Sequence, residues 1–320
     1  IGPYAANGNV TIYGGKITGS GTGAAANNGT MHMYGGEISG NSRGVQAGGT
    51  KGNGSFNGSF YLHGGKVTDN HGSEGGGVYV MNSFYMDGGE VSNNSTITKN
   101  KATSNGGGIC AEDNSTVTID GGKVIGNATT SGNGGGIYMN SGSISLSGGK
   151  VTGNRAGGNG GGVCTKAFRD VRSRVYLSGS AEISDNYAGG SGGGVYLDVF
   201  FWESRPNDYS NYCLLSMDGG KITGNTSVGE GGGVYADARS GNWRTKSVVM
   251  VQGSAQITGN KKGEEDNNLY LPGPSEGVII HGDLDENADI RVTTETKPSE
   301  GSEMTIAKRG GLGAPEKVTV

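Results

Sequence analysis

The chain has 320 residues, 68 of them glycine, with 7% aromatic and 17% charged residues and a formal net charge of −4. A polar, acidic composition with mean hydropathy −0.44 and pI near 5.6 argues against general nucleic-acid binding, and no apolar run approaches the length of a membrane-spanning helix. Glycine at this level fits disorder, a collagen-like rod or a repeat scaffold, and periodicity separates the three.

In chain order, a glycine doublet followed by Lys or Glu, a β-branched residue and a polar turn recurs from the start. It reads "GGKITGS" at Gly14, "GGEISGN" at Gly35, "GGKVTDN" at Gly64, "GGEVSNN" at Gly88, "GGKVIGN" at Gly121 and "GGKVTGN" at Gly148. Further on stand "GSAEISDN" at Gly179, "GGKITGN" at Gly219 and "GSAQITGN" at Gly253. A triple glycine followed by Val or Ile and then Tyr or Cys alternates with it, at Gly75, Gly106, Gly134, Gly160, Gly192 and Gly231. Within each unit apolar and polar residues alternate over short runs such as "TVTIDGG" and "SISLSGG", and no 3.6-residue period occurs.

Such units cannot bury their apolar side alone, but stacking pairs every backbone group with the turn above and below. The expected fold is all-β: a single-stranded right-handed parallel β-helix of about nine or ten rungs, spaced about 4.8 Å apart. Val78, Ile109, Ile137, Val163, Val195 and Val234 should form one interior column. Asn41, Asn70, Asn127, Asn154, Asn186, Asn225 and Asn260 fall at one place in each unit, where stacked amides can form a ladder.

These alternating "GGKITGN" and "GGGVY" units resemble the parallel β-helix repeats of large surface proteins of Gram-positive, gut-dwelling bacteria. They are more distantly similar to the repeats of chlamydial polymorphic membrane proteins. The resemblance spans roughly residues 8 to 292. It implies an extracellular setting, at the cell surface or secreted, and leaves adhesins, polysaccharide lyases and glycoside hydrolases open as functions. The β-helix is expected over residues 1–292, and 293–320 as a closing segment or a linker within a longer chain.

Three consecutive units depart from the rhythm. The interval from the triple glycine to the next anchor glycine is 10, 12 and 11 residues after Gly77, Gly108 and Gly136, but 16, 24 and 19 after Gly162, Gly194 and Gly233. The inserts, near 166–174, 198–213 and 237–247, hold both tryptophans, Trp202 and Trp243, and six of the ten arginines. Stacking should merge them into one patch. Trp202, Trp243, Tyr196 and Tyr235 offer faces for sugar rings, while Arg169, Arg205, Arg239, Arg244, Glu203 and Asp208 offer charged hydrogen bonds. A glycan or host-surface ligand is the expected partner, without nucleic acid or membrane insertion.

If Val195 and Leu197 point inward, Tyr196 and Asp198 point outward, with Tyr235 and Asp237 one rung on. Asp198 and Asp237 then share a column with Lys166, Asn140 and Glu112. Two carboxylates about 5 Å apart suit a retaining glycosidase pair, a cation site or hydrogen bonds to sugar hydroxyls, and Lys166 could serve as a lyase base. A solvated column without a ligand is equally consistent with the pattern.

The remaining motifs exclude more than they suggest. Cys110 and Cys164 lie two rungs apart, beyond disulfide reach, and Cys213 falls in the second insert, so three free thiols are expected. No metal-type cysteine spacing, histidine pair at i, i+4 or nucleotide-binding loop occurs, which leaves no cofactor or metal to assign. His32, His63, His71 and His281 read as separate surface groups, and Asp87 and Asp120 as a stacked pair without loops.

Overall fold

The computed structural model describes residues 2–49, 57–96, 105–167, 172–199, 212–237, 246–272, 278–295 and 307–309. Among these there is no helix, and hence none long and apolar enough to cross a membrane. Short strands recur at three places around a closed turn and pair in parallel with their counterparts one turn away, and from Ser95–Thr96 on a two-residue strand at a fourth place builds a second, smaller sheet. The fold is a parallel β-solenoid.

The first strand of each turn follows the triple glycine. Its register runs Val78↔Ile109↔Ile137↔Val163↔Val195↔Val234, and all six side chains are fully buried, as the alternation requires. The second strand contributes Phe60, Phe84, Val117, Ile144, Val175, Leu215 and Val249 to the same interior. Phe60 and Phe84 stack there with ring centroids 5.5 Å apart. The third strand adds Ile38, Val67, Val91, Val124, Val151, Ile183, Ile222 and Ile257. One apolar core therefore runs along the axis, and each side chain is buried mainly by its equivalents in adjacent turns.

Glycine is demanded at the corners. A Cβ on Gly64 would lie 2.5 Å from the Tyr34 carbonyl oxygen one turn away, and Gly65 has φ +82°, where only glycine is unstrained. The Lys or Glu that follows each doublet forms an outer charge column, with Lys16–Glu37 at 2.9 Å and Lys150–Glu182 at 2.7 Å. These pairs are solvent-exposed and contribute little to stability.

After the third strand the chain turns through asparagine. Asn41, Asn70, Asn94, Asn127, Asn154, Asn186, Asn225 and Asn260 are all buried. In each, Nδ2 and the backbone N–H both donate to Oδ1 of the next asparagine, at 2.9–3.1 Å within the column from Asn41 to Asn260. Nδ2 also donates to a carbonyl of the preceding turn, such as Val91 for Asn127. Asn94 was not among the seven expected members, because "GGEVSNN" offers two asparagines and only the second is buried. Asn260 is the last of the seven expected members, yet the column runs one further. An antiparallel hairpin, Lys261–Lys262 with Glu265–Asp266, folds back and sets Asn268 on Asn260, at 2.7 Å from its backbone nitrogen.

The cysteines follow from the register. Cys110 and Cys164 both pair with Tyr138 and are two turns apart, and all three cysteines are free and buried. A thiol reagent should therefore titrate none rapidly in the native protein and three after unfolding without reductant. A Cys110–Cys164 disulfide in a peptide map would contradict the register.

Candidate functional site

Continuing the first strand outward places the polar residues in line. The register joins Glu112↔Asn140↔Lys166↔Asp198, and the N–H of Asp237 donates to the Leu197 carbonyl at 3.2 Å, which continues the column by one turn. Asn140 Nδ2 donates to Glu112 Oε2 at 2.7 Å. Burial lifts the Glu112 carboxyl above the ordinary range, and the Asn140 hydrogen bond offsets part of this. Asp237 is only 6% exposed, whereas Asp198 is half-buried. The Asn140 Oδ1 atom is buried without a hydrogen-bond partner among the described residues. The arrangement is a half-buried polar stripe of both charge signs.

Beside it runs a column with a different character. Tyr79, Cys110, Tyr138, Cys164 and Tyr196 project from the outer side of the first strands, yet they form a second buried cluster, with Tyr235 partly buried against it. The triple glycine explains the burial: Gly160, at φ +66°, curls over the strand until a Cβ on it would come within 2.6 Å of Cys164 Cβ. Burial pushes the Cys110 and Cys164 thiols and the Tyr196 phenol well up. Tyr196 and Tyr235 stack with centroids 5.1 Å apart and planes 8° apart. Tyr196 thus lies on the outward side of the strand but is only 9% exposed, so it supports the surface rather than presenting a face to it.

The bases of the three inserts are closed by hydrogen bonds. Ser173 Oγ donates to the Lys166 carbonyl at 2.7 Å, the Cys213 thiol to the Asp198 carbonyl at 3.1 Å, and the Ser247 backbone N–H to the Asp237 carbonyl at 3.2 Å, while Ser247 Oγ donates to the Leu197 carbonyl of the preceding turn. These three donors are register partners, Ser173↔Cys213↔Ser247. Cys213 is therefore not part of the insert. It sits in the strand Tyr212–Thr223, fully buried in the main core, with burial raising its thiol to about 12. A small inward donor at this place lets the chain leave and re-enter the turn at one point whatever the length between. Arg172 reaches over the Tyr212 ring at 4.8 Å, beside the first and second openings. Arg169, Trp202, Glu203, Arg205, Asp208, Arg239, Trp243 and Arg244 lie outside the described residues.

A further cluster had no motif to announce it. His63 Nδ1 lies 2.9 Å from Asp87 Oδ1, and His63 Nε2 lies 3.1 Å from His32 Nδ1. Tyr34 stacks on His63 with centroids 4.5 Å apart, Tyr61 on His32 at 4.6 Å, and Tyr13 on Tyr34 at 5.5 Å. His32 and His63 are thus not separate groups, since a stacked fold joins residues 31 apart. Burial and the His63 charge lower the affinity of His32 for a proton. Asp87 and Asp120 follow each other in one column, and both are engaged: Asp87 by His63, and Asp120 by Ser147, which donates to it at 2.6 Å. The available signal was the residue before each glycine doublet: Tyr13, Tyr34, His63, Asp87, Asp120 and Ser147.

No group of three or more His, Cys, Asp or Glu side chains able to hold a metal occurs among the described residues. Comparison with curated proteins and with solved structures returns no match. The Chlamydia polymorphic membrane protein repeat matches residues 94–112, which include the triple glycine at Gly106, and by this repeat the chain is similar to a family of membrane proteins.

Proposed function

We propose that this chain is a β-solenoid module displayed at the cell surface or secreted, adhesin-like, which binds a glycan or host ligand through its three inserts. The solenoid would occupy residues 1–292, with 293–320 as its closing segment or a linker, in a protein of a Gram-positive type. The observation that supports this reading is the closure of the insert bases by the Ser173 hydroxyl, the Cys213 thiol and the Ser247 backbone N–H. Loops of unequal length leave one corner beside a polar column while the rungs keep register, so ligand contacts can vary without cost to the core. The likeness to a membrane-protein repeat fits an exposed location.

A second reading has its own observation. Asp198 and Asp237 follow each other in one column with Lys166 below, as an acid–base pair of a glycoside hydrolase or lyase would require. Binding and turnover on a panel of oligosaccharides separate the two. Trp202→Ala or Trp243→Ala is expected to weaken binding by about 1–3 kcal/mol with the melting temperature nearly unchanged, because a stacking face contributes only when ligand is present. Asp198→Asn or Asp237→Asn should reduce affinity alone in a binding module. In an enzyme the same changes would keep the ligand and lose turnover by orders of magnitude. Tryptophan variants that melt early and a wild type that binds no glycan would sink both readings.

A further inference from the structure

The outer face of the first four second-position strands, Asn9–Ile12, Thr30–Met33, Ser59–Leu62 and Ser83–Met86, carries a cluster of rings far along the chain from the inserts. Tyr13, His32, Tyr34, Tyr61, His63 and Tyr85 form a continuous aromatic surface on it, with Tyr13 78% and Tyr34 51% exposed.

Two observations fix how these rings lie. Tyr13 and Tyr34 are 15° from parallel with centroids 5.5 Å apart, so at ring contact of about 3.5–4.0 Å they are offset by about 4 Å, and each leaves much of a face uncovered. His32 and His63 give the tilt independently. Their planes differ by 3°, and a centroid separation of 5.4 Å is about the longest that a 3.1 Å nitrogen contact permits. The two rings therefore lie end to end in one plane although they come from successive turns. Ring planes that pass from one turn to the next are inclined to the axis, and the stacks are shingled rather than piled flat. Asp87 anchors the histidine pair and holds this inclination.

The surroundings select the ligand. The aligned residues Thr30, Ser59 and Ser83 place hydroxyls beside the rings, and none of the four strands contains Lys or Arg. Asp87 is bound to His63 and Asp120 is hydrogen-bonded to Tyr85 and Ser147, while Lys16 and Lys66, three residues beyond Tyr13 and His63, are paired with Glu37 and Glu90. Partly uncovered aromatic faces edged by hydroxyls, with the neighbouring carboxylates and lysines already hydrogen-bonded or paired, match an uncharged saccharide better than a sulfated or uronate chain. We propose that this aromatic face is a second carbohydrate-binding surface, specific for neutral glycans and independent of the inserts.

The test is calorimetric titration of the whole chain with neutral hexasaccharides of glucose, N-acetylglucosamine, galactose and mannose, with heparin as the anionic comparison. At least one neutral probe should bind, and Tyr34→Ala should weaken it about tenfold, with Tyr13→Ala adding to the loss. Tyr13 is largely exposed, so its variant should keep the wild-type circular dichroism and melting curve. The Trp202→Ala/Trp243→Ala protein should retain the neutral probe, which separates this surface from the insert patch. The proposal fails if no neutral probe binds, if heparin alone binds, or if the tyrosine variants bind as wild type. It fails equally if those variants alter only the oligomeric state, which would mark the face as a contact between copies.

Discussion

Replacing Val163 by Asp is expected to abolish the cooperatively folded solenoid. Val163 is fully buried, between Ile137 and Val195 of the adjacent turns, and no cationic or donor side chain lies in that interior column. The effective penalty for an unpaired buried carboxylate is several kcal/mol after relaxation, a large share of the roughly 5–15 kcal/mol that holds a domain together. The damage also spreads. Each turn is buried mainly by its two neighbours, so turns that lose contact with a disrupted one lose part of their own core. Val163→Ala, which only leaves a small cavity, should cost about 1–2 kcal/mol and retain the fold. Circular dichroism and denaturant titration of the two variants distinguish charge from cavity. A Val163→Asp protein that melts within a few degrees of wild type would falsify the interior column.

The second large effect belongs to the asparagine ladder. Asn127 Oδ1 accepts from the backbone nitrogen and Nδ2 of Asn94, both at 3.0 Å, and its Nδ2 donates to the Val91 carbonyl and to Asn154 Oδ1. Asn127→Leu keeps the volume and orphans two buried donors of Asn94 at once. With about 1–3 kcal/mol for each unsatisfied group, a loss of about 2–6 kcal/mol follows. Asn127→Asp should be no better, because a carboxylate cannot donate to the two oxygens that Nδ2 now serves. Position along the ladder sets the scale. Asn41 has below it only the Ser20 N–H, at 2.9 Å, so Asn41→Leu should cost less than Asn127→Leu. Hydrogen exchange should show the Asn94 amide losing protection first. Equal losses at the two positions would mean that the ladder is not what stabilises the turns.

Both effects concern features that local sequence encodes. A period of two within strands, a doublet whose second glycine adopts positive φ, and an asparagine able to satisfy two backbone groups at a turn each depend on near neighbours in the chain. For this reason the inward column of Val163, the parallel stacking and the separation of Cys110 from Cys164 were legible without coordinates.

What the sequence left undecided are meetings between turns of unequal length. His63 reaches Asp87 across 24 residues and His32 across 31, and only the register shows the first interval to be one turn and the second one turn plus two residues. The same holds for Cys213, which reads as part of an aromatic insert and proves to be the core residue that closes it. Tyr196 shows a second limit: alternation gives the side of the strand, but whether that side is open depends on the glycine turn folded over it. Strand, turn and interior column were thus determined by the sequence itself through local sterics and burial. Which outward residues touch, and which stay exposed, was decided only by the tertiary stacking, because those contacts are set by register and by the path of the intervening loops.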